Sequence, residues 1–146
     1  MDELVETGTI PRPLEEVFDA AADPFQQLQW DAKLLKSVQP VGAGPLAKGA
    51  RYRGRFKGMG TVEYEYADYD PPHRFAHRSA LPMGEMLHTL EFEPVDGGTR
   101  LTQRISMRPT FLGRVMGPVM RPRMRRRMRD LPLQLTEYLQ AKRTPR

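Results

Sequence analysis

From residue 34 to residue 108 apolar and polar side chains alternate, and this period of two breaks five times, each time at residues that turn a chain. The alternating runs cover 36–41, 50–57, 61–69, 74–80, 85–93 and 100–108. The breaks are Gly42-Ala43-Gly44-Pro45, Gly58-Met59-Gly60, Asp70-Pro71-Pro72, Leu81-Pro82-Met83-Gly84 and Asp96-Gly97-Gly98. Successive side chains of a strand point to opposite faces, so each run reads as a strand with one buried face. Connections this short join antiparallel neighbours, because a parallel crossover needs a dozen residues or more. The pattern predicts an antiparallel meander and excludes a sheet of βαβ units. Residues 2–10 add a seventh strand, ended by Pro11 and Pro13. Its inner face stays open, with Leu4 and Ile10 on one side and Val5, Thr7 and Thr9 on the other.

Alternation also assigns the faces of the other strands. Tyr52, Gly54 and Phe56 fall opposite Arg51, Arg53 and Arg55; Val62, Tyr64 and Tyr66 fall opposite Glu63 and Glu65. Phe75, His77 and Ser79 oppose Arg74 and Arg78. Met86, His88, Leu90 and Phe92 point inward, as do Leu101, Gln103, Ile105 and Met107. The Glu63–Glu65 pair could be taken for catalytic carboxylates. It lies among the strand's outer charges, however, and reads as solvated surface.

Two short helices are expected over residues 14–22 and 24–30. Leu14, Val17, Phe18 and Ala21 recur at helical spacing, Pro13 suits a first turn, and Glu15 and Glu16 sit where the helix dipole favours anions. Asp23-Pro24 separates the two. Helical spacing returns from Phe111 to about Lys142, with Met116, Met120, Met124, Met128, Leu131, Leu135 and Tyr138 in one stripe and Arg125, Arg126 and Arg129 pointing away. Pro118 suits a first turn, which sets the helix at about 117–142; Pro122 and Pro132 are expected to kink or divide it. Residues 143–146 are expected to fray. No repeat or linker interrupts the 146 residues, which read as a single domain, 1–146.

Charge is spread unevenly. Residues 1–50 carry four basic and eight acidic side chains, residues 51–99 six and eight, and residues 100–146 thirteen and two. Arg121, Arg123, Arg125, Arg126, Arg127 and Arg129 make up much of that excess. They read first as a solvated helix face. The sharper reading is docking to a membrane surface or partner, where each arginine is worth about 1 kcal/mol at best against anionic lipid. Nucleic acid is not expected, because no aromatic residues are interleaved to stack on bases. Cysteine is absent, which excludes disulfides and thiolate chemistry. No metal site is expected from three histidines, His73, His77 and His88, of which His73 sits in a Pro-Pro turn. No cofactor-binding fingerprint occurs: Gly58-Met59-Gly60 is a turn without a third glycine. The acidic opening Met1-Asp2-Glu3 and the lack of a long apolar run lead to the expectation of a cytoplasmic protein. Nothing in the pattern specifies an oligomeric state.

The stretch from Thr9-Ile10-Pro11-Arg12-Pro13-Leu14-Glu15-Glu16-Val17-Phe18 to Asp23-Pro24 and Trp30, then Tyr69-Asp70-Pro71-Pro72-His73-Arg74-Phe75, and then Phe92-Glu93-Pro94-Val95-Asp96-Gly97-Gly98-Thr99-Arg100-Leu101-Thr102, resembles the START/Bet v 1-like (SRPBCC) superfamily and its polyketide cyclase/dehydrase and lipid-transport branch. The resemblance implies an α+β helix-grip fold: seven curved antiparallel strands wrapped around a long C-terminal helix, with an apolar cavity between. It implies a binder or carrier of a small hydrophobic molecule, lipid-like or aromatic. The rival is a polyketide cyclase, aromatase or dehydratase in which His88, His77 or Tyr64 moves protons.

The inward polar groups then become pocket candidates: Tyr52, Tyr64, Tyr66, His77, His88 and Gln103, beside the apolar Leu90 and Ile105. Trp30 is expected to anchor the helix pair or close the pocket mouth. Met116, Met120 and Met124 would form an adaptable wall. The expectation is one common cavity bordered by Tyr64, His88, Gln103 and at least one of these methionines.

Overall fold

In the computed structural model, which describes residues 3–143, every alternating run pairs with the next. The elements are β1 (Leu4–Ile10), α1 (Leu14–Ala22), α2 (Pro24–Trp30), β2 (Leu35–Val41), β3 (Arg51–Phe56), β4 (Gly60–Asp70), β5 (Arg74–Leu81), β6 (Gly84–Val95), β7 (Gly98–Pro109) and α3 (Phe111–Arg143). The strands form one antiparallel sheet in the order β1-β7-β6-β5-β4-β3-β2. This is the expected seven-stranded meander, with β1 returning to pair with β7. Most of the expected tail, residues 144–146, lies outside the described residues.

All five assigned strand faces hold, and β1 now gains one. Leu4 and Ile10 are buried, so Glu6 and Gly8 share their side. The main core lies where α1 meets the sheet. Phe18 places its ring edge-on to Phe75 at 5.7 Å and to Phe92 at 5.4 Å, and Leu131, Leu135 and Leu139 of α3 join this cluster. Asp23 caps α2 by accepting a hydrogen bond from the Phe25 N–H at 2.9 Å, with Pro24 in the first turn.

Helix α3 corrects the expectation in two respects. It starts at Phe111 rather than near 117, because the Thr110 hydroxyl accepts from the Gly113 N–H at 3.2 Å and caps it there. It also runs undivided through Pro118, Pro122 and Pro132, so of the two outcomes expected at Pro122 and Pro132 division does not occur. A proline frees the carbonyl four residues before it. Pro118 and Pro122 stand exposed, where water can take up the freed groups. Pro132 is buried, and the carbonyl it frees, that of Met128, accepts a 2.6 Å hydrogen bond from Gln103 Nε2 of β7.

Pro132 also sets how near α3 comes to the sheet. A Cβ at Gly8 would meet the Pro132 ring at 2.9 Å, so glycine is needed on β1 for its lack of a side chain. Gly8→Val is expected to destabilise the protein by about 1–3 kcal/mol in urea unfolding. The solvent-facing control Thr7→Val should stay within about 0.5 kcal/mol. Equal effects would mean that α3 does not bear on β1 at this point.

Candidate functional site

Two hollows lie between α3 and the sheet. The first, about 110 Å³, is walled by Trp30 of α2, Val62 and Tyr64 of β4, His77, Ser79 and Leu81 of β5, Met86, His88 and Leu90 of β6, and Arg127 and Leu131 of α3; Met59 stands exposed at its edge. The second, about 540 Å³ and more open, lies farther toward the start of α3, among Leu4, Met83, Met107, Pro109, Gly113, Gly117, Met120 and Met124, with Arg114 and Arg121. Between them Leu4, Ile105 and Met128 pack into a small cluster, with Met86 and Met124 against it.

The expected single cavity is thus divided. Trp30, Tyr64, His77, His88 and Leu90 share the first hollow. Met120 and Met124 belong to the second, and Met116, half-buried, borders neither. Residues 120 and 131 are eleven positions apart, about 16 Å along a helix, too far to border one compact hollow. Ile105 sits in the dividing cluster. Tyr66 is core, its hydroxyl donating to the Ala22 carbonyl at 2.6 Å. Tyr52 stacks beside Tyr64 at 6.1 Å, but it faces a surface depression near Phe25. Trp30 ties α2 to α1, its Nε1 donating to the Ala20 carbonyl at 2.8 Å, and it borders the hollow.

Gln103 is buried away from the hollow, and its amide fixes a neighbour's chemistry. Because Nε2 donates to Met128, Oε1 faces His88 Nε2 at 3.1 Å and can only accept. His88 therefore carries its proton on Nε2 and leaves Nδ1 as an acceptor. His77 is its direct cross-strand partner. Burial, with smaller contributions from His88 and Arg127, pushes the His77 imidazole down to about 3. Burial pushes His88 down to about 4, against the opposing hydrogen bond from Gln103. Burial also raises the Tyr64 phenol above its ordinary range. At neutral pH all three are uncharged. Tyr64 Oη and His77 Nε2 are buried without a hydrogen-bond partner among the described residues, and their rings lie 4.7 Å apart.

One feature escaped sequence reasoning. Asp31, fully buried, accepts from Arg127 through both oxygens at 3.2 and 2.9 Å and from Gln27 Nε2 at 3.0 Å. Arg127 lies three residues after Met124 and four before Leu131, on the apolar stripe itself, and a charge placed there needs a buried partner. The arginine run is therefore not one solvated face. Arg125 and Arg129 also reach inward to Glu6 of β1, at 2.8 and 3.1 Å. Burial works against ionisation of Glu6, but the two guanidiniums outweigh it and hold the carboxyl below its usual range. Among the described residues no three His, Asp or Glu are grouped to hold a metal ion, and no helix is long and apolar enough to cross a membrane.

A curved antiparallel sheet gripping a long C-terminal helix defines the helix-grip fold of Bet v 1-like proteins. The chain superposes on Ara h 8.0201 with a TM-score of 0.74 at 13% identity, covering 96% of this chain and 98% of that one. For TTHA0849 from Thermus thermophilus the TM-score is 0.73 at 23% identity, covering 98% and 100%. For DynU16, a protein in the dynemicin biosynthetic locus, it is 0.70 at 22%, covering 96% of this chain and 48% of that one. The chain belongs to the polyketide cyclase / dehydrase and lipid transport family, whose model matches residues 1–140. No protein of curated function matches the sequence.

Two outcomes follow from this geometry. Unfolded imidazoles titrate near 6.5, whereas those of His77 and His88 resist protonation until about 3 and 4. Between those values the unfolded chain binds more protons, so this stability is complete above about pH 6.5 and is lost as pH falls. The thermal midpoint should drop from about pH 6.5 to 5, above the carboxylate range, and His88→Gln should flatten that drop. A slope unchanged by the substitution would absolve His88. Gln103→Leu leaves the Met128 carbonyl unpaired and should cost about 1–3 kcal/mol by chemical denaturation. A cost near zero would mean that another donor replaces it.

Proposed function

We propose that the first hollow binds, and the protein carries, a small and mostly apolar molecule bearing one uncharged hydrogen-bonding group, a hydroxyl or a carbonyl. The observation that carries this reading is the pair of unpartnered atoms, Tyr64 Oη and His77 Nε2, buried side by side at an otherwise largely apolar hollow. Buried polar atoms are nearly always paired, so these two invite a partner that fits between apolar walls. A phenol and a neutral imidazole, each able to donate or to accept, match a hydroxyl or carbonyl and not a free charge. At about 110 Å³ the hollow suits one ring or a short branch, with the remainder extending past Met59.

The family description also names cyclisation and dehydration, which need a proton carrier whose pKa lies near the working pH. Imidazoles held at about 3 and 4 bind protons too weakly for that role, which favours binding over catalysis.

Native mass spectrometry of the purified protein, with organic extraction of any bound compound, comes first. Titration with 2-naphthol and naphthalene then tests the chemistry. 2-Naphthol should bind up to about tenfold more tightly. Tyr64→Phe should erase that advantage and leave naphthalene binding unchanged. Equal affinity for the two probes in the unaltered protein would defeat the reading. A compound recovered chemically changed, with His88→Gln slowing its turnover by about 10²–10⁴-fold at unchanged affinity, would replace it with the cyclase reading.

A further inference from the structure

The outward side of α3's first half is apolar. Four of the eight large apolar side chains that stand exposed among the described residues fall within nine positions: Phe111, Leu112, Val115 and Val119. Phe111 is 83% exposed and Val115 59%. At 100° per residue the four lie within an arc of about 100°, on the side of the helix away from Met120 and Met124. Arg123 and Arg126 continue that side in the next turns, and the exposed Arg114 stands beside it. None of these three arginines forms an ion pair among the described residues, unlike Arg125, Arg127 and Arg129. From residue 97 to residue 129 the sequence contains no Asp or Glu.

This face is held in place. The Thr110 N–H donates to the Met83 carbonyl at 3.0 Å, and the Thr110 hydroxyl donates to the Pro82 carbonyl at 2.9 Å. Gly113 packs so close to Met83 that a Cβ there would meet the Met83 carbonyl oxygen at 1.9 Å. The apolar stripe is thus presented on a helix already docked, and needs no folding on contact.

We propose that residues 111–126 form a docking face for an anionic lipid bilayer, with Phe111, Leu112, Val115 and Val119 entering the headgroup boundary and Arg114, Arg123 and Arg126 meeting lipid phosphates. An aliphatic stripe rimmed by unpaired arginines is the chemistry of interfacial helices. A second copy of the chain is disfavoured by charge, because an isologous contact would set arginines against arginines. Nucleic acid is disfavoured because Phe111 alone could stack on a base. The inference does not depend on what the first hollow binds.

Flotation of the full chain with vesicles tests it. The protein should float with phosphatidylcholine vesicles containing phosphatidylglycerol and not with phosphatidylcholine alone. Arg123→Gln with Arg126→Gln should weaken partitioning by roughly fivefold per arginine. Leu112→Ser with Val115→Ser, both exposed, should weaken it about tenfold or more while the circular dichroism spectrum stays unchanged. Binding that survives the serine substitutions would be mere charge adsorption and would overturn the proposal. So would equal binding to both vesicles, or binding to neither. Binding to a polyglutamate peptide in place of vesicles would assign the face to an acidic protein, and a dimer abolished by the serine substitutions would assign it to a second copy; either outcome overturns the lipid assignment.

Discussion

Where α3 crosses β1, a proline, a glycine and a glutamine meet, and the interior is arranged around that crossing. Pro132 removes the helical partner of the Met128 carbonyl, Gln103 of β7 supplies a new one at 2.6 Å, and Gly8 of β1 gives the proline ring room. A buried carbonyl left unpaired would cost about as much as several ordinary packing contacts yield, so the replacement donor is required. Its consequences spread outward. The Gln103 amide can face only one way, which fixes the His88 tautomer, and the height of α3 above β1 lets Met128 pack on Leu4 and Ile105.

Charge holds the same helix along its flanks. Arg127 reaches Asp31 after α2, and Arg125 with Arg129 reaches Glu6 on β1. Buried ion pairs add little net stability over apolar packing, but removing one partner strands the other. They act here chiefly as alignment: Asp31 has no counterion unless α3 sits in a single rotation about its axis. Such a constraint suits a long helix with a high share of arginine, whose methionine stripe is too pliable to set its own register.

The sheet was legible because its signal is local. Alternation needs only neighbouring residues, and turn residues mark the ends, so Tyr64, His77 and His88 could be placed on one face before any tertiary contact was known. Gly98 and Gly84 extend strands beyond their expected limits because hairpin glycines continue the ladder. The partition of the interior was not legible. It depends on where α3 crosses β1, and that is set by Gly8 against Pro132, two residues that read locally as a gap in a strand and a break in a helix. Gln103 looked like pocket lining for the same reason: its inward face was correct, but the carbonyl that occupies it is exposed by a proline 29 positions later. Arg127 was hidden within a run of like residues, although its heptad neighbours already placed it inward.

The dividing cluster makes Met128 a bulkhead between two chambers. Its carbonyl is occupied by Gln103, while its side chain packs with Leu4 and Ile105 between the hollows. Backbone support and side-chain packing are separable at this position. A shorter side chain at residue 128 would keep the Gln103 bond to the backbone but give up the packing on Leu4 and Ile105, so the space gained between the hollows would come at the expense of the core.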